Sequence, residues 1–184
     1  MRVIAGTARS LLLKTIDGSD TRPTTDRIKE TLFNMLMPYL GEALFLDLFA
    51  GSGAIGIEAL SRGSSEACFV ELNPNACKCI NDNLVHTKLK DRAKVIKGDA
   101  VSFVSGLSDV DYDVIFMDPP YKKGLERNVM DILSKKVFKK DTLIVIEAAK
   151  EEDFAYLGDL GFDIIKEKTY KTNKHVFIEK REIL

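Results

Sequence analysis

The sequence predicts an α/β domain in which short buried strands alternate with amphipathic helices. The first observation is the apolar run 45–49, which has too few polar positions to alternate and is typical of a parallel strand buried on both faces. The second is repetition, because apolar runs at 67–71, 93–97, 113–117 and 143–147 are separated by turn residues and by stretches with helical spacing. This order predicts a mostly parallel sheet covered by helices.

The length and composition are those of an ordinary globular chain. Its 184 residues suit one domain, and 45% hydrophobic with 30% charged residues does not suggest disorder. The net charge of −1 indicates no general affinity for nucleic acid, so any basic surface must be local. The three cysteines lack metal-site spacing, and no segment approaches the ~18 apolar residues of a membrane helix. We therefore expect a cytoplasmic protein with no metal and no membrane contact.

The chain is predicted to begin with a β-hairpin extension at residues 1–21, ahead of the main domain at 22–184. Two short apolar segments, 3–4 and 11–13, are separated by polar residues and a glycine, as in paired strands. A polar loop follows, and the helix after it is expected to end near Pro38. The extension is interpreted as an appendage to the main fold.

Three glycines follow the first strand, at Gly51, Gly53 and Gly56. Glycine permits a tight turn with positive φ and lets a backbone approach a ligand closely, and apolar residues at helical spacing resume directly afterwards. A strand, a glycine turn and a helix predict a nucleotide pocket. The spacing also fits G-x-G-x-x-G, which alone would suit a dinucleotide such as NAD.

Acidic residues are predicted to surround this pocket, because they follow neighbouring strands of a parallel sheet. Asp47 lies before the glycines, where a carboxylate can receive the amino group of an amino-acid moiety better than it tolerates a pyrophosphate. Glu71 ends the second strand and can accept hydrogen bonds from ribose hydroxyls. Asp99 and Ala100 follow the third strand, where Asp99 can line the pocket and also cap a helix. The set favours S-adenosylmethionine, a cationic adenosine ligand.

The fourth predicted strand ends in the most specific motif of the chain, Asp118-Pro119-Pro120-Tyr121. Consecutive prolines lack N–H donors and have restricted φ, so the carbonyls beside them are held rigidly and can accept hydrogen bonds. Asp118 and the Pro119 carbonyl can take both N–H hydrogens of an amino group, while Tyr121 stacks on the ring. The motif predicts a pocket for a planar base with an exocyclic amino group.

The C-terminal third is predicted to complete the sheet. A buried strand at 143–147 is followed by a short helix at 151–160. Strands at 162–166 and 176–180 then form a final hairpin. The terminal strand is expected to run antiparallel.

Residues 47–53 together with 118–121 resemble the class I S-adenosylmethionine-dependent amino methyltransferases. The segments 22–30 and 58–63 narrow the resemblance to the RsmD-type 16S ribosomal RNA (guanine-N2)-methyltransferases, and the similarity covers nearly the whole chain. The resemblance implies a Rossmann-like class I methyltransferase fold: a mostly parallel seven-stranded sheet, helices on both faces, an antiparallel terminal strand and an N-terminal β-hairpin.

The resemblance also implies where cofactor and RNA bind. In this family S-adenosylmethionine lies over the glycine turn, with an acid at the Glu71 position on the ribose and one at the Asp99 position beside the adenine. The hairpin and the loop after it close over the site and approach RNA, which implies substrate contacts by Arg9, Arg22 and Thr24. The family hairpin usually carries a glycine and a basic residue where this chain has Ser10 and Leu11.

The predicted partner is 16S ribosomal RNA within an assembled or partly assembled small ribosomal subunit, bound by a monomer. Basic residues cluster at Arg22, Arg27 and Lys29, at Lys122 and Lys123, and at Lys166, Lys168, Lys171 and Lys174. Lys122 directly follows the proline motif and is expected to attract phosphate there. Because these clusters are local, folded RNA that exposes a guanine in a loop is favoured over a naked duplex.

The predicted reaction is direct methyl transfer to guanine N2, with Asp118 and the Pro119 carbonyl accepting the growing positive charge. DNA adenine-N6 methylation uses the same motif, but those enzymes commonly need a target-recognition region for which the length leaves little room. An NAD-dependent oxidoreductase would leave the motif unexplained, and a nonenzymatic RNA-binding module would explain neither the acids nor the glycines. His86 and His175 are isolated in sequence and are assigned no chemistry.

Overall fold

The computed structural model describes residues 1–16, 26–121 and 123–181. Its helices are α1 (Asp26–Leu40), α2 (Ala54–Ser61), α3 (Pro74–His86), α4 (Ala100–Ser105) and α5 (Leu125–Leu133). Its strands are β1 (Leu44–Leu48), β2 (Glu66–Glu71), β3 (Ala93–Lys97), β4 (Asp109–Val110), β5 (Val114–Met117), β6 (Val137–Phe138), β7 (Leu143–Ala149), β8 (Phe162–Thr169) and β9 (Asn173–Lys180). Turns of 3-10 helix lie at Lys90–Arg92 and Ala155–Leu157. Among the described residues, no helix has the length and apolar character needed to cross a membrane.

Within these ranges, seven strands form one sheet in the order β3-β2-β1-β5-β7-β9-β8, and β4 pairs with β6 in a separate small sheet. The neighbours from β3 to β7 are parallel, whereas β9 runs antiparallel to both β7 and β8. Parallel neighbours need crossover connections, and helices supply them. The predicted mostly parallel seven-stranded sheet with an antiparallel terminal strand is confirmed.

Helices cover both faces of the sheet, because successive residues of a buried strand point in opposite directions. Phe45 and Val114 face one core, which they share with apolar residues of α1, α2 and α3. Leu46 and Ile115 face the second core, which contains apolar residues of α4 and α5. Strands buried on both sides are continuous apolar runs, which is why the sequence predicted their positions.

The N-terminal hairpin packs against α1 and α2 as part of the domain core. One antiparallel bridge joins Arg2 to Leu12, and apolar side chains of the hairpin are buried in the first core. Gly6 has a φ of 82°, and a Cβ at this position would lie 1.8 Å from the carbonyl oxygen of Ser61 at the end of α2. The turn of the hairpin therefore requires glycine. The predicted domain boundary after residue 21 lies outside the described residues.

The helix predicted at 151–160 is wrong, because only the 3-10 turn at Ala155–Leu157 forms there. This segment contains Gly158 and buries Phe154 and Leu157, which is too little packing to offset the cost of nucleating a helix. The helix α5 and the short strands β4 and β6 were not predicted. Strands of two residues have no periodicity that a sequence pattern can reveal.

Candidate active site at the carboxyl edge of the sheet

A cavity of about 810 Å³ opens at the carboxyl ends of the parallel strands. Five of the six predicted cofactor residues line it, namely Asp47, Gly51, Glu71, Asp99 and Ala100. The sixth, Gly53, is the N-cap of α2 at the end of the glycine turn. Met1 and Ile16 add a wall from the N-terminal segment. The parallel sheet thus brings together residues that are far apart in sequence.

Asp47 lies on β1 beneath the N-terminus of α2 and is only 2% exposed. Its Oδ2 accepts a hydrogen bond of 2.9 Å from the Gly56 N–H. Burial raises the pKa of Asp47 to about 7, the Gly56 bond opposes this rise, and the negative charge of Glu71 adds to it. A cationic group in the cavity would stabilise the ionised carboxylate, which fits the predicted contact with an amino group.

Glu71 at the end of β2 holds the glycine turn in place. Its Oε2 accepts a hydrogen bond of 2.8 Å from the Gly51 N–H, and its Oε1 accepts one of 2.8 Å from the Asn73 N–H. Gly51 and Gly53 have φ values of 55° and 78°, as the predicted tight turn requires. Each carboxylate oxygen has a second lone pair, so Glu71 can still accept bonds from ribose hydroxyls. The sequence predicted this ligand role but not the support of the turn.

Asp99 and Ala100 lie where β3 passes into α4. Asp99 is the N-cap of this helix, and its Oδ1 accepts a hydrogen bond of 2.8 Å from the Ser102 N–H. The capping role is therefore confirmed. Because both residues also line the cavity, capping is compatible with a place beside a ligand. Their contact with adenine stays a prediction.

The Asp118-Pro119-Pro120-Tyr121 motif follows β5 at the rim of the cavity. Asp118 and Pro120 line the cavity, and Pro119 is buried between them. Tyr121 is 45% exposed, so one part of its ring is available to a group that approaches from solvent. Asp118 therefore lies on the cavity side of the motif, with the predicted cofactor residues, and Tyr121 lies on the solvent side.

Acidic side chains crowd together at this motif. Burial raises the pKa of Asp118 well above its usual range, and the charges of Glu147 and Asp47 raise it further. Burial also raises the pKa of Tyr121, with further contributions from Asp118 and Glu147. The structure thus places Asp118 and Tyr121 beside other acids at the rim of the cavity, and their contact with the amino group of a base stays a prediction.

A buried polar network next to the motif was missed by the sequence analysis. Glu147 on β7 accepts a hydrogen bond of 2.6 Å from Asn173 Nδ2, and its Oε2 lies 3.0 Å from His175 Nε2. His175 Nδ1 lies 3.2 Å from the Tyr170 hydroxyl. His175 is therefore not isolated. In the described part of the chain, no group of three or more His, Cys, Asp or Glu side chains could hold a metal ion.

The predicted RNA-binding residues are only partly described. Arg22, Thr24 and Lys122 lie outside the described residues. Arg9 is exposed near the turn of the hairpin. Ser10 has a φ of 69°, in the left-handed region that favours glycine.

Two lysines of the predicted basic clusters are buried. Lys29 is fully buried, and its Nζ lies 3.2 Å from a carboxylate oxygen of Glu58. Lys174 Nζ lies 5.3 Å from the centre of the Phe154 ring and 3.5 Å from Glu167. The prediction that these two lysines contribute to basic surfaces is therefore wrong, because both contact groups of the domain itself.

The sequence is similar to that of proteins named as methyltransferases. Residues 1–179 match the family described as conserved hypothetical protein 95. The Bacillus subtilis putative rRNA methyltransferase YlbH is 36% identical over 98% of this chain and 100% of its own length. Proteins named ribosomal RNA small subunit methyltransferase D are 36% identical in Haemophilus influenzae, over 92% of this chain and 88% of that protein, and 37% identical in Escherichia coli K12, over 82% and 76%.

Solved structures share the fold over nearly the full length. A putative methyltransferase, yhhF, from Escherichia coli has a TM-score of 0.86 at 32% identity and covers 98% of both chains. A putative methylase from Haemophilus influenzae has a TM-score of 0.82 at 32% identity, again over 98% of both chains. A putative RNA methyltransferase from Pyrococcus horikoshii has a TM-score of 0.76 over 92% and 91% at 18% identity, which shows the fold alone.

Proposed function

Because the chain belongs to the family described as conserved hypothetical protein 95, we propose that it methylates the exocyclic N2 of one guanine in 16S ribosomal RNA. Its relatives in Haemophilus influenzae and Escherichia coli are named ribosomal RNA small subunit methyltransferases. Their names support the general activity, ribosomal RNA methylation with S-adenosylmethionine as cofactor, without the target atom. The observation that carries the choice of an amino group is the position of Asp118 and its proline motif at the rim of the cavity.

The residues of the cavity fit S-adenosylmethionine. A volume of about 810 Å³ lies within the range of small-molecule sites. Asp47 offers a buried carboxylate that a cation would stabilise, and Glu71 has lone pairs available for hydroxyl donors. Asp99 adds a third acid beside α4. We assign the amino group, the ribose and the adenine of the cofactor to these three residues in that order.

The catalytic residues are Asp118, Pro119 and Tyr121. When bound, S-adenosylmethionine supplies a methyl group on a positively charged sulfur. Asp118 and the Pro119 carbonyl receive the two N–H groups of the target amine and turn its lone pair towards the methyl carbon, and Tyr121 holds the ring by stacking. Asp118 or water would take the proton that the amine loses when the methyl group passes from the sulfur to the nitrogen.

The RNA is proposed to be presented by an assembled or partly assembled small subunit. The chain has a net charge of −1, so a broad basic face is not available to hold long RNA. Arg9, Arg22, Thr24 and Lys122 are the proposed contacts. We further propose that the protein acts as a cytoplasmic monomer, with the hairpin extension of residues 1–21 and the domain of 22–184 covering the RNA together.

Transfer of a radiolabelled methyl group to three substrates tests this function. The substrates are small ribosomal subunits, deproteinised 16S RNA and duplex DNA, each with S-adenosylmethionine as donor. We expect N2-methylguanine in the subunits. N6-methyladenine in DNA as the main product would overturn the assignment, whereas N2-methylguanine on naked RNA alone would overturn only the proposal about assembly.

A further inference from the structure

Acids on or directly after three adjacent strands converge at the carboxyl edge of the sheet. Asp47 on β1 is the register neighbour of Phe116 on β5, and neighbours in parallel strands point to the same face. Phe116 has Val145 on β7 as its other neighbour. Glu147 is two residues beyond Val145 on β7 and points to that face, and Asp118 directly follows β5 at the same edge. Asp118 therefore lies between the other two acids.

The Glu147 carboxylate is held in a fixed position. The residue is 4% exposed, and its two oxygens are engaged by Asn173 and His175. Asn173 turns its amino group towards Glu147, although its own buried Oδ1 then has no hydrogen-bond partner within the described structure. Asn173 thus donates to Glu147 while its own oxygen stays unpaired among the described residues, and this bond together with the His175 contact fixes the position of the carboxyl group.

Glu147 influences the cavity through its charge, which acts on Asp118. The described residues that line the cavity include Asp118 but not Glu147. Titratable and charged groups of the surrounding elements are Asp47 of β1, Tyr121 and Lys123 of the turn after β5, Tyr170 ahead of β9, and His175 of β9. Besides burial, the charges of Glu147 and Asp47 raise the pKa of Asp118. A carboxylate with a higher proton affinity is a stronger acceptor for an N–H group.

We propose that Glu147 is a positioning residue that acts through Asp118. Its fixed negative charge, held by Asn173 and His175, strengthens Asp118 as the acceptor of the target amine without contact between Glu147 and the substrate. This inference rests on the proposed function, because it requires Asp118 to face the amine. It gives the buried network of β7 and β9 a role that the cofactor site alone does not explain.

The test removes the charge and keeps the shape, with Glu147→Gln as the variant. The rate of a single turnover is measured against pH at saturating RNA and S-adenosylmethionine. Asp118 must be ionised to accept the amine, so the rate falls as pH drops through the pKa of Asp118. Loss of the Glu147 charge lowers that pKa. We expect the acid limb of the pH–rate profile, where the rate falls with falling pH, to move to lower pH by on the order of one unit. Glu147→Asp, which keeps the charge, should restore the wild-type limb.

Glu151→Gln is the matched control, because it removes the same charge from an exposed position just after β7. Its acid limb should coincide with that of the wild type. An unmoved limb in a folded Glu147→Gln variant would overturn the inference. A purely structural role of Glu147 would lower the rate at every pH and leave the limb in place.

A second measurement needs neither substrate nor activity. Carbon-13 NMR of the Asp118 carboxyl group follows its titration in the free wild-type protein. We expect a pKa above the usual ~4 of aspartate in the wild type and a lower pKa in Glu147→Gln. An ordinary pKa in the wild type would overturn the inference even if Glu147→Gln failed to fold. Full activity of Asp118→Asn, combined with the raised pKa, would instead overturn the proposed function and leave the electrostatic link standing.

Discussion

At the scale of single residues, the cavity depends on a carboxylate that is costly to ionise in the free protein. The pKa of Asp47 is raised to about 7 by burial and by Glu71. A bound amino cation favours the ionised form and lowers this pKa, so binding releases a proton when the free residue is protonated. The affinity for S-adenosylhomocysteine should therefore rise with pH up to about 7 and level off above it. Calorimetry from about pH 5 to 8 measures this dependence. Asp47→Asn should bind more weakly and lose the dependence, and equal affinity of the wild type across the range would contradict the assignment.

Asp118 is predicted to contribute to methyl transfer and little to cofactor binding. Its hydrogen bond strengthens only as positive charge develops on the amine, so Asp118→Ala should lower the transfer rate by at least ~100-fold while cofactor affinity stays within a few-fold. Single-turnover rates and calorimetry separate the two effects. Tyr121→Ala is the companion variant, and loss of a stacking contact should weaken base binding by about 1–3 kcal/mol. Normal turnover by the Asp118 variant on its true substrate would remove this residue from the mechanism.

The sequence predicted that the acids of the cavity meet at one pocket because each lies near the carboxyl end of a strand, and a parallel sheet brings strand ends together. Asp47, Glu71 and Asp99 could be placed at one edge without knowledge of their contacts. The pair of Glu147 and His175 could not be predicted in this way. It depends on the antiparallel register of β7 with β9, which links residues that lie 28 positions apart. No local pattern specifies that register.

At the scale of elements, one buried carboxylate joins the N-terminal hairpin to the two helices beneath it. Glu58 on α2 accepts hydrogen bonds from the backbone N–H groups of Ile4 at 2.8 Å and Ala5 at 3.0 Å. The same carboxylate pairs with Lys29 of α1 at 3.2 Å and with Arg62 at 2.8 Å. Lys29 also donates a hydrogen bond to the carbonyl of Arg2 in the hairpin. Because Met1 lines the cavity, this junction also supports one wall of the cavity.

Glu58→Ala should therefore destabilise the domain strongly. It leaves the Lys29 ammonium buried without its acid, a change that typically costs about 3–5 kcal/mol. Urea unfolding gives the free energy of unfolding. Asp82→Asn is the matched control, since it breaks the exposed pair with Lys14 and should cost less than about 1 kcal/mol. Equal losses of unfolding free energy in the two variants would show that the buried carboxylate stabilises the domain no more than the exposed ion pair does.

The sequence signals for helices and strands differed in strength along the chain. The missed helix α5 does carry a pattern, because Leu125, Val129 and Leu133 are spaced by four residues, and the last two are fully buried. Segment 151–160, in contrast, is predicted as a helix and forms only a 3-10 turn at Ala155–Leu157.

At the scale of the whole molecule, the carboxyl edge of the sheet is acidic while the substrate is a polyanion. Acids from four strands surround the cavity and its rim, and the net charge of the chain is −1. Phosphates will be repelled from this edge unless the cation of the cofactor and local basic residues offset the acids. We therefore expect RNA to bind more tightly once the cofactor is present. Because the chain has no net positive charge to attract RNA, its affinity for RNA must depend largely on recognition of RNA shape.

This balance predicts a defined effect of charge reversal at Arg22, one of the proposed RNA contacts. Arg22→Glu should weaken binding of small ribosomal subunits and lower methyl transfer at limiting subunit concentration. If Arg22 contacts a phosphate, its loss reduces by about one the number of counterions released, so the slope of log affinity against log salt becomes shallower by roughly one. The difference from the wild type should therefore be largest at low salt. Lys140→Glu, an exposed change just before β7 at the opposite edge of the sheet, provides the control and should leave both affinity and slope unchanged. Equal losses in the two variants would mean that overall charge, rather than a contact at the active-site edge, governs RNA binding.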